Sequence, residues 1–328
     1  MEEKEQGSSA GAFWLSFVVT LLLLVGVLAT TAIATDGARS RAAAAPEYDG
    51  PATVFLPRQE DRLVMLLALR ENADTPPDCF LLAGFLPDKG QIALTLLPPK
   101  TLLLAGEQWG TLVELYQRGG MPYAARLVAD YLAIPVERYG MMEVAGLRKL
   151  MENAGFFDYY LPVELDYPLH QRQVALSRGP QQLDGRKVAD ILFYPAYKGG
   201  EAERSDRGVM LLTRMVNHHL ANSTTPQGDA LVKSFLNNCQ GNLSWQDYEE
   251  RRQATEFLSR LELPAASAVY VEGSLSRDYR YFLLSDSCRA RLCRVFGGQG
   301  WPPTAQGGDT QVRLGAYDRL PEEEKPME

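Results

Sequence analysis

Residues 11–34, GAFWLSFVVTLLLLVGVLATTAIA, form a run of 24 residues without a charged side chain. At about 1.5 Å per residue a helix of that length spans roughly 36 Å, enough for a hydrocarbon core of about 30 Å. A cleaved signal peptide is the competing reading, with Ala32-Ile33-Ala34 as the cleavage site. The apolar stretch is longer than the usual h-region of about 7–15 residues, and the preceding MEEKEQ is acidic. The expected layout is a short cytoplasmic tail over 1–10, one transmembrane helix over 11–34 and a stalk over 35–57 rich in Ala, Pro, Gly and Asp. Lys4 is the only base before the span, whereas Arg39 and Arg41 follow it. The positive-inside rule therefore leans against an outside C-terminal domain, although long domains translocate despite that bias.

Beyond the stalk, RLVMLLALR (62–70), CFLLAGFL (79–86) and QIALTLLP (91–98) are compact apolar runs punctuated by ENADTPPD and PDKG. This pattern predicts three strands, the last two as a hairpin. GTLVELYQRGG (110–120) has helical spacing and stops at Gly119-Gly120, where MPYAARLVADYLAI (121–134) begins a new helix with proline near its head. VERYGMMEV (136–144) reads as a strand and VAGLRKLMENAG (144–155) as a helix. Further helices are expected over 181–194, opening near Asp184, over 207–222 and over 243–261, the last capped by Ser244 with Asp247 three residues on. ASAVYVEG and YRYFLLS suggest late strands, CRARLCRVFG a final helix, and 298–328 a disordered tail. Strands alternating with helices give the α/β class.

The net charge of −8 argues against a nucleic-acid partner, which needs a basic face. No phosphate-binding glycine loop or dinucleotide fingerprint is present. The histidines, His170, His218 and His219, read as surface or half-buried residues. Cys288 and Cys293 either close a small disulfide loop or are two separate thiols, and no cysteine spacing suits zinc. The stretch ERSDRG (203–208) stands out because it sets two arginines against the start of an apolar helix. Guanidinium forks bind phosphate in a bidentate way, and a helix N-terminus adds partial positive charge. The plain alternative is a solvated helix start whose arginines pair with Glu203 or Asp206.

In order and content these segments resemble the LytR-CpsA-Psr family of membrane-anchored bacterial proteins. PPDCFLLAGFLPDKGQIALTLLPPKT is similar to that family's Arg-x-Asp strand, turn and Ser-Ile-Pro-Arg-Asp-Thr strand. GGMPYAARLVADYLAIPVERYGMMEVAGLRKLMENAG resembles its Gly-Gly, helix, strand and Asp-Ala-Gly-Gly passage, and GNLSWQDYEE its late Thr-Asn-Leu-Ser helix start. LDGRKVADILFYP resembles the Leu-Asp-Gly element that runs into Tyr-Val-Arg-x-Arg, and ERSDRG the Asp-x-x-Arg-x-x-Arg-Gln element. The resemblance implies a three-layer α/β/α sandwich with a central mixed sheet over 58–297, held outside the bacterial cell membrane by one span. It also implies transfer of a phosphoglycan from polyprenyl pyrophosphate to peptidoglycan, assisted by Mg²⁺, with membrane lipid as a neighbour. Asp78 falls on the metal-binding position, while Arg204 and Arg207 fall on catalytic and substrate-binding positions. Several family residues are replaced: Pro76 and Pro99 stand for arginines, Lys100 for an aspartate, Phe193 and Pro195 for the Arg-x-Arg pair, and Gly208 for the glutamine. Lys100 and Lys198 are the candidates to restore lost charge, although lysine lacks the guanidinium fork. Three readings follow: an active phosphotransferase, a relative with weakened or lost catalysis that still binds the lipid, or an envelope scaffold without a ligand.

Overall fold

Gly119-Gly120, the predicted break between two helices, is a kink at which Gly120 takes φ 68° and ψ −167°. The computed structural model describes residues 55–105, 108–170, 172–220 and 226–298. The expected cytoplasmic tail, membrane span and most of the stalk lie outside the described residues, as does all but the first residue of the expected disordered tail. Among the described residues no helix is long and apolar enough to cross a membrane.

The central sheet contains β1 (Leu63–Arg70), β2 (Cys79–Leu86), β3 (Gln91–Leu97), β6 (Arg138–Glu143), β11 (Cys239–Gly241) and β12 (Ala266–Ala268) in the order β11-β6-β1-β2-β3-β12. It is mixed: β1 runs antiparallel to β2 and β2 to β3, whereas β6 is parallel to β1 and β12 to β3. Smaller hairpins pair β4 (Leu102–Ala105) with β5 (Gln108–Thr111), β7 (Phe157–Leu161) with β10 (Gly179–Leu183), β8 (Leu165–Leu169) with β9 (Arg172–Leu176), and β13 (Gly273–Leu275) with β14 (Phe282–Leu284).

Both parities of the central strands are apolar because both faces are covered. Val64, Leu66, Ala68, Phe80, Leu82 and Leu97 pack against α1 (Leu112–Leu132) and, late in the chain, a helix over Asp286–Val295. Leu69, Cys79, Ala83, Leu94 and Leu96 pack on the other face against α2 (Val144–Ala154), α3 (Gly185–Phe193) and α4 (Gly200–Leu220). Helices on both faces of a mixed sheet make the layered α/β arrangement. Three short helices follow α4: α5 (Pro226–Asn238), α6 (Trp245–Glu250) and α7 (Arg252–Ser259); the Asp286–Val295 helix is α8.

Several expected boundaries move. The helix expected within 181–194 opens at Asp184 as expected, where the carboxylate caps it by accepting from Lys187 N at 2.8 Å, while Gln181–Leu183 before it pair with β7. α4 begins at Gly200 rather than 207, so ERSDRG lies within its first three turns; Gly199 N–H donates to the Glu203 carboxylate at 2.7 Å across the first of them. The helix expected over 243–261 breaks at Arg251, whose φ of −108° and ψ of 10° end α6, although Ser244 caps it as expected. The hairpins between 157 and 183 escaped notice because Pro168 and Pro180 sit inside strands, where proline argues against a strand. α5 was not foreseen either. Cys288 and Cys293 are separate buried thiols: five residues apart on α8 they point about 140° apart around the axis.

The glycine of Leu-Asp-Gly has a packing role. A Cβ on Gly185 would lie 2.6 Å from the Leu147 carbonyl oxygen and 2.7 Å from Arg148 backbone atoms on α2. Backbone cannot yield as a flexible side chain does, so Gly185→Ala should cost about 2–3 kcal/mol in urea unfolding, with α2 and α3 forced apart.

Candidate functional site

The sheet topology brings three corners to one end: the exit of β1, the entry of β2 at Asp78 and the exit of β3 toward Lys100. Arg204 reaches this end from the second turn of α4. Its Nη2 donates to Asp78 Oδ2 at 2.8 Å and to the Asp78 carbonyl at 2.9 Å, and its Nε donates to the Leu192 carbonyl at 3.1 Å. The Arg204 side chain is only 11% exposed, so one guanidinium ties the β2 entry to the end of α3. Glu201 lies beside it, with Oε2 3.9 Å from Arg204 Nη1 and Oε1 3.9 Å from Lys100 Nζ.

Arg207 turns elsewhere. Its Nε donates to Glu203 Oε1 at 2.6 Å and its guanidinium lies 5.3 Å over the Tyr197 ring. Gly199 N–H and Arg207 together hold the Glu203 carboxyl below its usual range. Lys198 is exposed in the adjoining loop and adds to that lowering. Glu201 and Glu203 thus occupy the first turn of α4, where the helix dipole favours negative charge.

A further charged group lies nearby. Arg172 of β9 donates through both terminal nitrogens to the two oxygens of buried Asp190, and Tyr167 Oη donates to the Asp190 carbonyl at 2.6 Å. Arg186 spans Glu71 Oε1 at 2.7 Å and Asp190 Oδ1 at 3.6 Å. Burial pushes the Asp190 carboxyl up, against the pull of Arg172. Burial also pushes the Tyr167 phenol up, and that phenol feels the charges of both the Asp190–Arg172 and the Asp78–Arg204 pairs. Tyr194 stacks edge-on to Tyr167 and Tyr197, with ring centroids 5.2 and 4.7 Å apart. Tyr159 lies within electrostatic reach of Arg207 and helps line an open groove of about 550 Å³ with Tyr160, Pro180 and Arg214.

Residues 78–283 match the model of the LytR_cpsA_psr family. The chain belongs to the LytR-CpsA-Psr family. It is 20% identical over 174 residues to the polyisoprenyl-teichoic acid–peptidoglycan teichoic acid transferase TagV of Bacillus subtilis strain 168, a match that covers 51% of this chain and 44% of that protein. The chain thus spans less than half the length of that relative. The crystal structure of B. subtilis TagV superposes with a TM-score of 0.61 at 16% identity, over 74% of this chain and 100% of that one. A protein described as a transcription regulator from Eubacterium siraeum superposes with 0.68 at 15% identity, over 75% and 95%. At such identities the likeness of structure speaks for the fold alone.

Within this LytR-CpsA-Psr protein, Asp78 and Arg204 meet directly, Lys100 joins them through Glu201, and Arg207 and Lys198 lie on the Glu203 side. Phe193 is buried in the core and Pro195 faces solvent. Gly208 is also buried: a Cβ there would meet Leu96 Cδ1 at 2.4 Å. Gly208→Gln should therefore destabilise the protein by about 1–3 kcal/mol through overpacking, as read by thermal or urea unfolding. Sequence reasoning missed Glu201, Arg172, Arg186, Asp190 and Tyr167. The spacing of Glu201 three residues before Arg204 was a readable signal, whereas nothing in the sequence joins Arg172 to Asp190.

The donor set does not suit the Mg²⁺ that the family resemblance implies. Mg²⁺ usually takes one or two carboxylates together with waters and phosphate oxygens. Asp78 Oδ2 is already engaged by Arg204, and the carboxylate beside it, Glu201, has a protein cation 3.9 Å from each oxygen. No group of three or more His, Cys, Asp and Glu residues comes together among the described residues. A pair of unit charges 4 Å apart interacts by about 4 kcal/mol at an effective dielectric of 20, and a divalent ion doubles the repulsion from each fixed cation.

Proposed function

We propose that this protein is a single-pass, membrane-anchored cell-envelope member of its family, with its C-terminal domain outside the bacterial cell membrane. In this reading it binds a polyprenyl-pyrophosphate-linked glycan, with weakened or lost transfer to peptidoglycan. One observation carries the reading: four cations of the site already face carboxylates. Arg204 faces Asp78, Arg207 faces Glu203, Lys100 faces Glu201 and Arg172 faces Asp190.

Phosphoryl transfer depends on positive charge fixed in advance where negative charge develops. Cations neutralised by protein carboxylates supply little net field, and Phe193 and Pro195 offer none. Binding is less demanding than transfer. Arg207 is bound to Glu203 and a ring face and lies within electrostatic reach of the groove-lining Tyr159, so a pyrophosphate can draw its fork away from Glu203. Tyr159, Tyr160 and Pro180 give the adjoining groove an apolar wall for isoprenoid carbon.

The test is turnover. The full chain in detergent, given a polyprenyl-pyrophosphate-linked glycan, Mg²⁺ and peptidoglycan, should release polyprenyl monophosphate no faster than the protein-free control. Release well above that control, lost in Arg207→Ala, would show an active transferase instead.

A further inference from the structure

We propose that Lys100 supplies the positive charge that a divalent cation would otherwise bring to Asp78, Glu201 and Arg204, so that this charge cluster receives a phosphate group without metal. The inference deepens the lipid-pyrophosphate reading above and rests on it for the identity of the anion. Asp78 and Glu201 contribute two negative charges, and Arg204 and Lys100 two positive ones, so the cluster is balanced as it stands. An aspartate at position 100, as the family pattern has it, would leave three negative charges against one. The difference of two is the charge of one Mg²⁺.

The backbone around Lys100 is fixed while its ammonium stays free to move. Its carbonyl accepts from Phe282 N at 2.8 Å, Thr101 N donates to the Pro98 carbonyl at 2.9 Å, and Val113 N to the Pro99 carbonyl at 3.1 Å. The Thr101 side chain beside it is fully buried. From that corner the Lys100 side chain extends 48% exposed to Glu201, which has Arg204 3.9 Å from its other oxygen. A compact ammonium on a flexible stem can leave Glu201 for an incoming phosphate oxygen, whereas Arg204, held at three acceptors, stays in place.

The test uses the full chain in detergent, with Mn²⁺ as the metal probe and inorganic pyrophosphate as the anion probe. Electron paramagnetic resonance titration should find no Mn²⁺ bound to the wild type at this site. Lys100→Asp should gain one bound Mn²⁺, and adding Asp78→Asn should remove it. Lys100 is half exposed, so the substitution spares the core, and the melting temperature of each variant in buffer alone checks this. Pyrophosphate should raise the wild-type melting temperature equally in EDTA and in Mg²⁺, and raise that of Lys100→Asp only in Mg²⁺. Wild-type Mn²⁺ binding that Asp78→Asn abolishes, or a wild-type pyrophosphate response that needs Mg²⁺, overturns the proposal. No pyrophosphate response from either protein in either condition instead sinks the lipid-pyrophosphate reading, and the Mn²⁺ titration still decides for or against Lys100.

Discussion

Arg172→Ala should lower the unfolding free energy by about 3 kcal/mol at pH 7, and by clearly less at pH 5. Breaking a buried ion pair from one side leaves an uncompensated charge, which typically costs about 3–5 kcal/mol. The lower end applies here because Arg186 Nε remains 3.6 Å from Asp190 and because the carboxyl can take up a proton. Burial, the largest influence on Asp190, raises its pKa in the folded protein, and Arg172 opposes that rise. A folded value above the unfolded one, about 3.9 for aspartate, means the folded state holds its proton more tightly. The carboxyl therefore favours folding most below the unfolded value, and that contribution is lost as pH rises through the folded value. Without Arg172 the folded value climbs further, so the deficit of the variant grows from acid to neutral pH. Urea unfolding at the two pH values measures this. Adding Asp190→Asn to Arg172→Ala should recover most of the loss, and an equal deficit at both pH values would contradict the assignment.

Arg204→Ala should cost about 3 kcal/mol as well, by a different route. Hydrogen bonds to charged groups contribute about 1.5–3 kcal/mol each, and Arg204 makes three, which are not additive. Asp78 is 47% exposed and can be rehydrated, so little of the loss comes from stranding its charge. The larger part is the seam itself: the Leu192 carbonyl and the Asp78 backbone lose the one group that joins them. Arg204→Lys keeps a cation for Asp78 but cannot hold the Leu192 carbonyl at the same time, so it should recover about half of the stability. Full recovery by lysine in urea unfolding would mean that charge alone matters and that the three-way clamp does not.

The sequence made the sheet legible where burial on both faces leaves a compact apolar run, as in residues 62–70, 79–86 and 91–98. It made helix starts legible where a side chain caps them, as at Ser244. It was silent where pairing partners are distant and the strands carry proline or polar residues, as in the hairpins of 157–183. The site divides in the same way. Arg204 and Arg207 stand out in a local pattern and Asp78 through the family resemblance, and two of the three touch. Their carboxylate partners set the electrostatics, and these partners lie either one helical turn away, as Glu201 and Glu203 do, or on another element. The Arg172–Asp190 pair joins β9 to α3, a contact made by tertiary packing alone. The start of α4 was misplaced by seven residues because its Gly199-Gly200 entry and its acids, which suit the helix dipole, read as loop.

The most direct test of retained anion binding is calorimetric titration of a short-chain polyprenyl pyrophosphate into the full chain and its Arg207→Ala variant. Arg207 contributes a partly exposed pair within one helix, worth about 0.3–0.5 kcal/mol to folding, and a contact with the Tyr197 ring worth about 0.5–1 kcal/mol, so the variant should still fold. The wild type should bind saturably, and Arg207→Ala should weaken that binding at least tenfold, or about 1.4 kcal/mol. No binding by the wild type, or equal affinity in both proteins, would contradict this reading and leave an envelope scaffold without this ligand.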